Sequence, residues 1–177
     1  MIIREKYLSQ IRPFYDKDLI KVITGIRRCG KSVILTQIMD ELKDKGIKEN
    51  QIIYINFESK RYDNIKNDND LYYYIQEKMK EEIKYYLFLD EIQNIENWEK
   101  TVNSFKADLG EKISIFITGS NSKLLSGELA TVLTGRFISL KMMPFTFSEF
   151  IELKKEKKEE ITEKSLDEFI EWGGMPL

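Results

Sequence analysis

GIRRCGKS, Gly25 to Ser32, lies between the apolar run LIKVIT (19–24) and the apolar triplet VIL (33–35). The stretch has the form G-x-x-x-x-G-K-[ST], the spacing of a phosphate-binding Walker A loop. Its glycines allow main-chain N–H groups to turn inward around an anion without Cβ clashes. The helix expected to follow points the positive end of its dipole at the same place. Gly25, Arg28, Cys29, Gly30, Lys31, Ser32 and Val33 are thus the loop positions expected to surround the phosphates. Lys31 is expected to reach the β- and γ-phosphates, and the Ser32 hydroxyl to ligate Mg²⁺. The side chains of Arg27, Arg28 and Cys29 are expected to point away, because the backbone does the binding.

Outward from this loop, short and nearly continuous apolar runs recur at Leu19–Thr24, Gln51–Phe57, Tyr85–Asp90, Ile113–Thr118 and Arg136–Leu140. Such runs fit strands covered on both faces. Helical spacing lies between them. Lys31 to Lys45 repeats Ile34, Leu35, Ile38 and Leu42 before Gly46. Leu71 to Lys84 follows Asp70, a plausible N-cap, and Trp98, Val102, Phe105 and Leu109 share a face before Gly110. This alternation predicts an α/β fold: a parallel sheet with helices on both faces. Thr146–Glu149 and Ser165–Glu168 both have the pattern of capping boxes. The mixed-charge run Lys154–Lys164 between them is expected to be a solvated helix end and linker.

Further polar groups end the other strands. Tyr85–Glu91, YYLFLDE, closes an apolar strand with two carboxylates. Ligands of parallel sheets sit at the C-terminal strand ends, so Asp90 is expected beside the loop, holding Mg²⁺ directly or through water. Glu91, one residue on, is placed to polarise an attacking water. IFITGSNS, Ile115–Ser122, ends in Thr118, Ser120, Asn121 and Ser122. Two roles fit here: Ser120 or Asn121 sensing the γ-phosphate or orienting water, and plain capping of a helix from about Ser122. Arg136, in LTGR just before the fifth strand, fits an arginine finger in cis or across a subunit boundary, and equally a surface arginine after a turn. Asn56, closing YIN, is a candidate for holding Glu91 in an inactive pose.

Composition narrows the classes. The chain has 177 residues, 42% hydrophobic and 33% charged, with a net charge of -2. That length supports one domain or slightly more. The near-neutral balance carries no global signature of nucleic-acid binding. The lone cysteine excludes an internal disulfide, which fits a reducing, cytoplasmic setting. No signal-peptide core and no 18-residue apolar window appear, so no membrane span is expected. With no histidine, histidine triads and His-ligated zinc are excluded.

GIRRCGKS, YINFE, YLFLDEIQ, IFITGSNSKLLS, LTGR, PFTFSEF and the terminal WGGMP, in this order, resemble the prokaryotic AAA-type P-loop ATPases that pair this core with a C-terminal domain of unknown function. The resemblance spans about residues 18–177. It implies a three-layer αβα P-loop fold with a five-stranded parallel sheet of order 5-1-4-3-2. Residues 1–145 would form the ATPase core, with 1–17 as a lead-in helix, and 146–177 the start of a helical lid. By the same resemblance Lys31, Ser32, Asp90 and Glu91 match the ATPase motifs, Ser120 or Asn121 the sensor, and Arg136 the GR arginine. The implied ligands are ATP, ADP and Mg²⁺. ATP is favoured over GTP by the resemblance and by the absence of an N-K-x-D guanine-reading tetrapeptide. Tyr7, Ile11 and Pro13 are candidates for an apolar wall against adenine, or for an ordinary packed N-terminal helix. The expected function is ATP hydrolysis driving or timing a conformational change. A nucleotide-gated switch with negligible hydrolysis is the alternative, and transfer to a small acceptor a third class. A homo-oligomer sharing Arg136 and further residues beyond Leu177 are also expected.

Overall fold

The computed structural model describes residues 2–120, 133, 135–162 and 164–174. Five parallel strands form its sheet: β1 (Ile20–Gly25), β2 (Ile52–Asn56), β3 (Tyr85–Asp90), β4 (Ile113–Gly119) and β5 (Phe137–Met142). Their order is β2-β3-β4-β1-β5, the expected order read from the other edge. β1, β3 and β4 lie inside the sheet and are buried along their whole lengths, whereas the edge strands β2 and β5 are partly open. Burial on both faces accounts for the nearly continuous apolar runs of the three inner strands.

Alternate residues of each strand serve opposite faces. Val22, Ile55, Leu87, Leu89, Ile115 and Ile117 pack against Leu71, Ile75, Val102 and Phe105. These four come from α3 (Asp68–Lys78) and α4 (Trp98–Leu109). On the other face Ile23, Phe88, Phe116 and Leu140 meet Tyr7, Leu8 and Ile11 of α1 (Glu5–Ile11) and Ile34, Leu35, Ile38 and Leu42 of α2 (Lys31–Asp44). A 14-residue helix is marginal alone. Each fully buried aliphatic side chain adds about 1.5–3 kcal/mol, so its four aliphatic anchors fix α2, and with it the loop it closes.

Some boundaries differ from expectation. α3 begins at Asp68 and is capped by Asn67, whose side chain accepts from the amides of Asn69 and Asp70. Asp70 instead accepts from the Lys66 amide. The helix ends at Lys78, and the Glu81 amide donates to the Tyr85 hydroxyl. After β5, α5 (Phe147–Glu156) carries the expected Thr146–Glu149 capping box. α6 (Lys164–Trp172) begins one residue before Ser165, whose hydroxyl accepts from the Thr162 amide. Glu168 pairs with Lys154. Lys154 is therefore buried, not solvated as its mixed-charge surroundings predict. Phe147, Phe150 and Phe169 hold α5 and α6 together.

Candidate nucleotide site

Register builds the site. Thr24 pairs with Gly119, and Leu89 with Ile117. The loop after β1, the carboxylates ending β3 and Ser120 after β4 therefore emerge side by side at one edge. Gly25 is required by close approach: a Cβ there would sit 2.6 Å from the Met142 carbonyl oxygen on β5 and 2.7 Å from Cys29 Sγ. Gly30 adopts φ 95°, which β-carbon sterics disfavour, and leads directly into α2. No side chain caps that helix start. The first-turn amides also have no intrahelical acceptor, so Lys31, Ser32 and Val33 present N–H groups to the loop's concavity. Ser32 and Val33 are exposed.

Ile26, Arg27 and Arg28 are exposed, as expected for side chains that leave the cradle to the backbone. Arg28 takes a left-handed φ of 65°, and Arg27 pairs with Glu58. Cys29 differs. Its side chain is fully buried among Tyr7, Ile11 and Ile34, and burial pushes its thiol pKa up. Its amide donates to the Ile26 carbonyl at 3.3 Å, and its carbonyl accepts from Arg4 at 3.0 Å. Cys29 thus helps to hold the loop's shape, with its side chain turned away from the cradle as expected.

Lys31 and Glu91 meet directly. Lys31 Nζ lies 3.0 Å from Glu91 Oε1, both side chains being nearly inaccessible. Nζ also donates to the carbonyls of Gly25 and Ile26 at 3.3 Å each. The other carboxylate oxygen, Oε2, accepts from Gln93 Nε2 at 2.6 Å and Ser120 Oγ at 2.9 Å. Burial alone would raise the Glu91 pKa. The donors Gln93, Lys31 and Ser120 outweigh it and hold the carboxyl below the usual glutamate value. Glu91 itself has a left-handed φ of 54°. Its amide is fixed by the Thr118 hydroxyl at 2.9 Å.

Asp90 is fully buried. Tyr54 OH donates to its Oδ2 at 3.0 Å and Thr118 Oγ1 to its Oδ1. With both oxygens engaged, Asp90 fits a Mg²⁺ ion held through water better than one bound directly, which suits an ion that dehydrates reluctantly. Among the described residues no cluster of three or more Cys, Asp or Glu side chains could hold a metal by itself. The donor set, one hydroxyl and one outer carboxylate, fits an ion whose remaining ligands are phosphate oxygens and water.

Other expected residues fall elsewhere. Asn56 accepts from the Glu58 amide and does not hold Glu91; Gln93 and Ser120 do. Asn121 and the helix start at Ser122 lie outside the described residues. Arg136 is exposed and precedes β5, so it stands at the N-terminal edge of the sheet, where its carbonyl accepts from the Ile20 amide. A six-residue strand at about 3.3 Å per residue separates the two edges by about 20 Å. Arg136 therefore stands at the edge opposite its own chain's loop. Tyr7 and Ile11 are absorbed in the core and Pro13 is exposed, so the three do not form one apolar wall. Gln93, Tyr54 and Arg4 were not singled out from sequence. Only Gln93 carried a local signal, as a polar residue two positions beyond the acidic pair.

The arrangement is that of an AAA-type nucleotide-binding fold. The chain superposes on AMPPCP-bound DnaA from Aquifex aeolicus with a TM-score of 0.64, covering 99% of this chain and 59% of DnaA at 16% identity. It superposes on the ORC1 protein of Aeropyrum pernix, solved in complex with DNA, with a TM-score of 0.63, covering 89% and 50% at 13% identity. A family model described as an AAA domain matches residues 17–151. The chain belongs to this AAA domain family of P-loop ATPases. An uncharacterised protein of Haemophilus influenzae is 45% identical over 178 residues, spanning 99% of this chain and 44% of that protein. One from Methanocaldococcus jannaschii is 42% identical over 165 residues, spanning 89% and 35%. The chain thus spans less than half the length of either relative. No helix among the described residues is long and apolar enough to cross a membrane.

Proposed function

We propose that the chain binds ATP with Mg²⁺ at the edge formed by Gly25–Val33, Asp90, Glu91 and Ser120, and hydrolyses it to drive or time a conformational change. The observation that carries this reading is the Lys31–Glu91 pair, 3.0 Å apart at the mouth of the loop. A cation for phosphate and a carboxylate for water stand there at one place.

Amides of Gly30, Lys31, Ser32 and Val33 bind phosphate oxygens, and Lys31 leaves Glu91 for the β- and γ-phosphates. Glu91 Oε1 is thereby freed while Gln93 and Ser120 keep Oε2 in position. Ser32, and Asp90 through water, would hold Mg²⁺, which would neutralise charge on the phosphates. Glu91 orients a water and accepts its proton as the water oxygen bonds to the γ-phosphorus. The bond from that phosphorus to the β–γ bridging oxygen breaks, leaving its electrons on ADP. Glu91 then returns the proton to phosphate or solvent. Arg136, exposed at the opposite edge, would serve only across a subunit boundary, in a homo-oligomer. α5 and α6 would begin a helical lid to which a further C-terminal portion adds.

A second reading is a nucleotide-gated switch with negligible hydrolysis. The closed Lys31–Glu91 pair favours it, because binding alone must open that pair. Single-turnover phosphate release separates the two. Glu91→Gln is expected to abolish release while ADP still binds. Release at the unaltered rate in that variant would remove Glu91 from the reaction, and no release from the unaltered chain would favour the switch.

A further inference from the structure

Arg4 belongs to no motif, yet it is only 2% exposed and joins three parts of the molecule. Its Nη1 donates to the Cys29 carbonyl at 3.0 Å and to the Met143 carbonyl at 3.1 Å. Nε and Nη2 grip the two carboxylate oxygens of Glu149 on α5, at 2.9 and 3.2 Å, and Nη2 lies 3.4 Å from the Pro144 carbonyl. The guanidinium also faces the rings of Tyr7 and Phe145, at 4.5 and 5.0 Å from their centroids. Its backbone is pinned as well: the Arg4 amide donates to Gln37 of α2, and Gln37 donates back to the Ile2 carbonyl at 2.6 Å.

The Cys29 contact bears on the cradle. In a trans peptide the carbonyl and the following N–H point in opposite directions. Holding the Cys29 oxygen on one side therefore fixes the Gly30 N–H on the other, toward the concavity. Gly30, at φ 95°, lacks the steric restraint that a side chain would supply. An external anchor can thus decide how this peptide is turned. The same guanidinium is bidentate on Glu149, a geometry a lysine does not reproduce. Glu149 also closes the capping box of α5, accepting from the Thr146 amide at 2.8 Å. Beyond it, the Phe145 amide donates to the Gly174 carbonyl, just past α6.

We propose that Arg4 is a positioning residue for the phosphate cradle: it turns the Cys29–Gly30 peptide so that the Gly30 amide faces bound phosphate, and its grip on Glu149 makes that orientation depend on how α5 is seated. This rests on the nucleotide reading above. It adds a mechanical link between the loop and the segment after β5, so displacement of α5 would change phosphate affinity without touching Lys31 or Glu91.

The test is titration of the chain with ADP and Mg²⁺, read by calorimetry and by the backbone amide resonances of Gly30, Lys31 and Ser32. In the unaltered chain all three are expected to shift on binding. In Arg4→Lys, ADP is expected to bind about tenfold more weakly, the loss of roughly one charge-assisted hydrogen bond. The Gly30 response should shrink while Lys31 and Ser32 keep theirs. Glu149→Gln, which spares the Cys29 contact, should weaken binding about threefold, and adding it to Arg4→Lys should cost nothing more, because the two act through one link. Unchanged affinity and an unchanged Gly30 shift in a folded Arg4→Lys chain would overturn the proposal. Additive losses in the double variant would overturn the link to α5. Should Arg4→Lys fail to fold, Glu149→Gln decides alone: a normal Gly30 response and normal affinity there would overturn the link. Failure of the unaltered chain to bind ADP is a different outcome, which removes the nucleotide reading itself and Arg4's role with it.

Discussion

The two edges of the sheet each bury a lysine, and they treat it oppositely. At the C-terminal edge Lys31 faces a carboxylate, Glu91, and two carbonyls. At the other end of β1, Lys21 is fully buried and donates only to neutral acceptors, the Lys17 carbonyl at 2.9 Å and Ser114 Oγ at 2.8 Å, with its ammonium over the Phe116 ring. Desolvation pushes the Lys21 pKa down to about 7, and the charges of Lys106 and Lys84 push the same way against Asp16 and Asp18. A buried cation paired with a carboxylate can exchange that partner for another anion. A buried cation without one is held as a structural tie and tends to lose its proton.

The sharpest way to break this contrast is Lys31→Met. Phosphate should lose its principal cation and turnover should fall by about 10²–10⁴-fold, a loss typical of removing one charged stabiliser of transferring phosphate. Phosphate release at near-normal rate would show that Lys31 is as structural as Lys21.

Lys21→Met should do the reverse, leaving ADP binding alone and raising stability. Below about pH 7 Lys21 is protonated in both folded and unfolded chains, so the unaltered protein bears the full desolvation cost there. As pH rises from about 7 toward its ordinary value of 10.5, the folded chain gives up the proton first and the penalty fades. The variant should therefore be more stable by about 1–4 kcal/mol at pH 6, a range typical of replacing buried charge with apolar packing. That advantage should narrow by pH 9. Chemical denaturation at the two pH values measures it. Tyrosines 15, 54 and 86, whose pKa values burial raises, oppose the trend only above about pH 10. A variant whose advantage is constant with pH would show that Lys21 does not titrate.

Thr118→Val probes how firmly the candidate nucleotide edge is held. Its hydroxyl donates to Asp90 and accepts from the Glu91 amide, and leaving that buried amide unpaired should cost about 1–3 kcal/mol of stability. The expected loss in turnover exceeds any loss in ADP affinity, because both carboxylates shift together. Tyr54→Phe should have the smallest effect, about 0.5–1.5 kcal/mol in denaturation, since it removes one of two donors to Asp90 and leaves Glu91 untouched.

Much of the candidate nucleotide edge is legible because its residues follow one another in sequence. The glycine spacing, Lys31 and Ser32 follow one another, and Asp90 and Glu91 close an apolar run whose direction in a parallel sheet dictates where they emerge. Lys21 was not legible. Inside the run LIKVIT nothing distinguishes it from a strand residue turned to solvent, and its burial depends on Ser114, 93 residues away. Gln93 and Asn56 both end near Glu91, and only side-chain packing shows that Gln93 reaches it while Asn56 meets the Glu58 amide. The arginine of LTGR is legible along the chain, but only the sheet shows its place in space: preceding a parallel strand puts it at the edge its own nucleotide loop does not occupy.

By itself the sequence determined the three layers, the strand set and the nucleotide loop, because hydrophobic period and glycine spacing act over a few residues. Only the tertiary structure decided the partners. Arg4 to Cys29 and Glu149, Lys21 to Ser114, and Gln93 to Glu91 are hydrogen bonds whose strength depends on angles and distances fixed by packing. A residue type announces that it can donate or accept. Which acceptor it meets is set when the sheet's register and the helices' seating bring distant stretches of chain together.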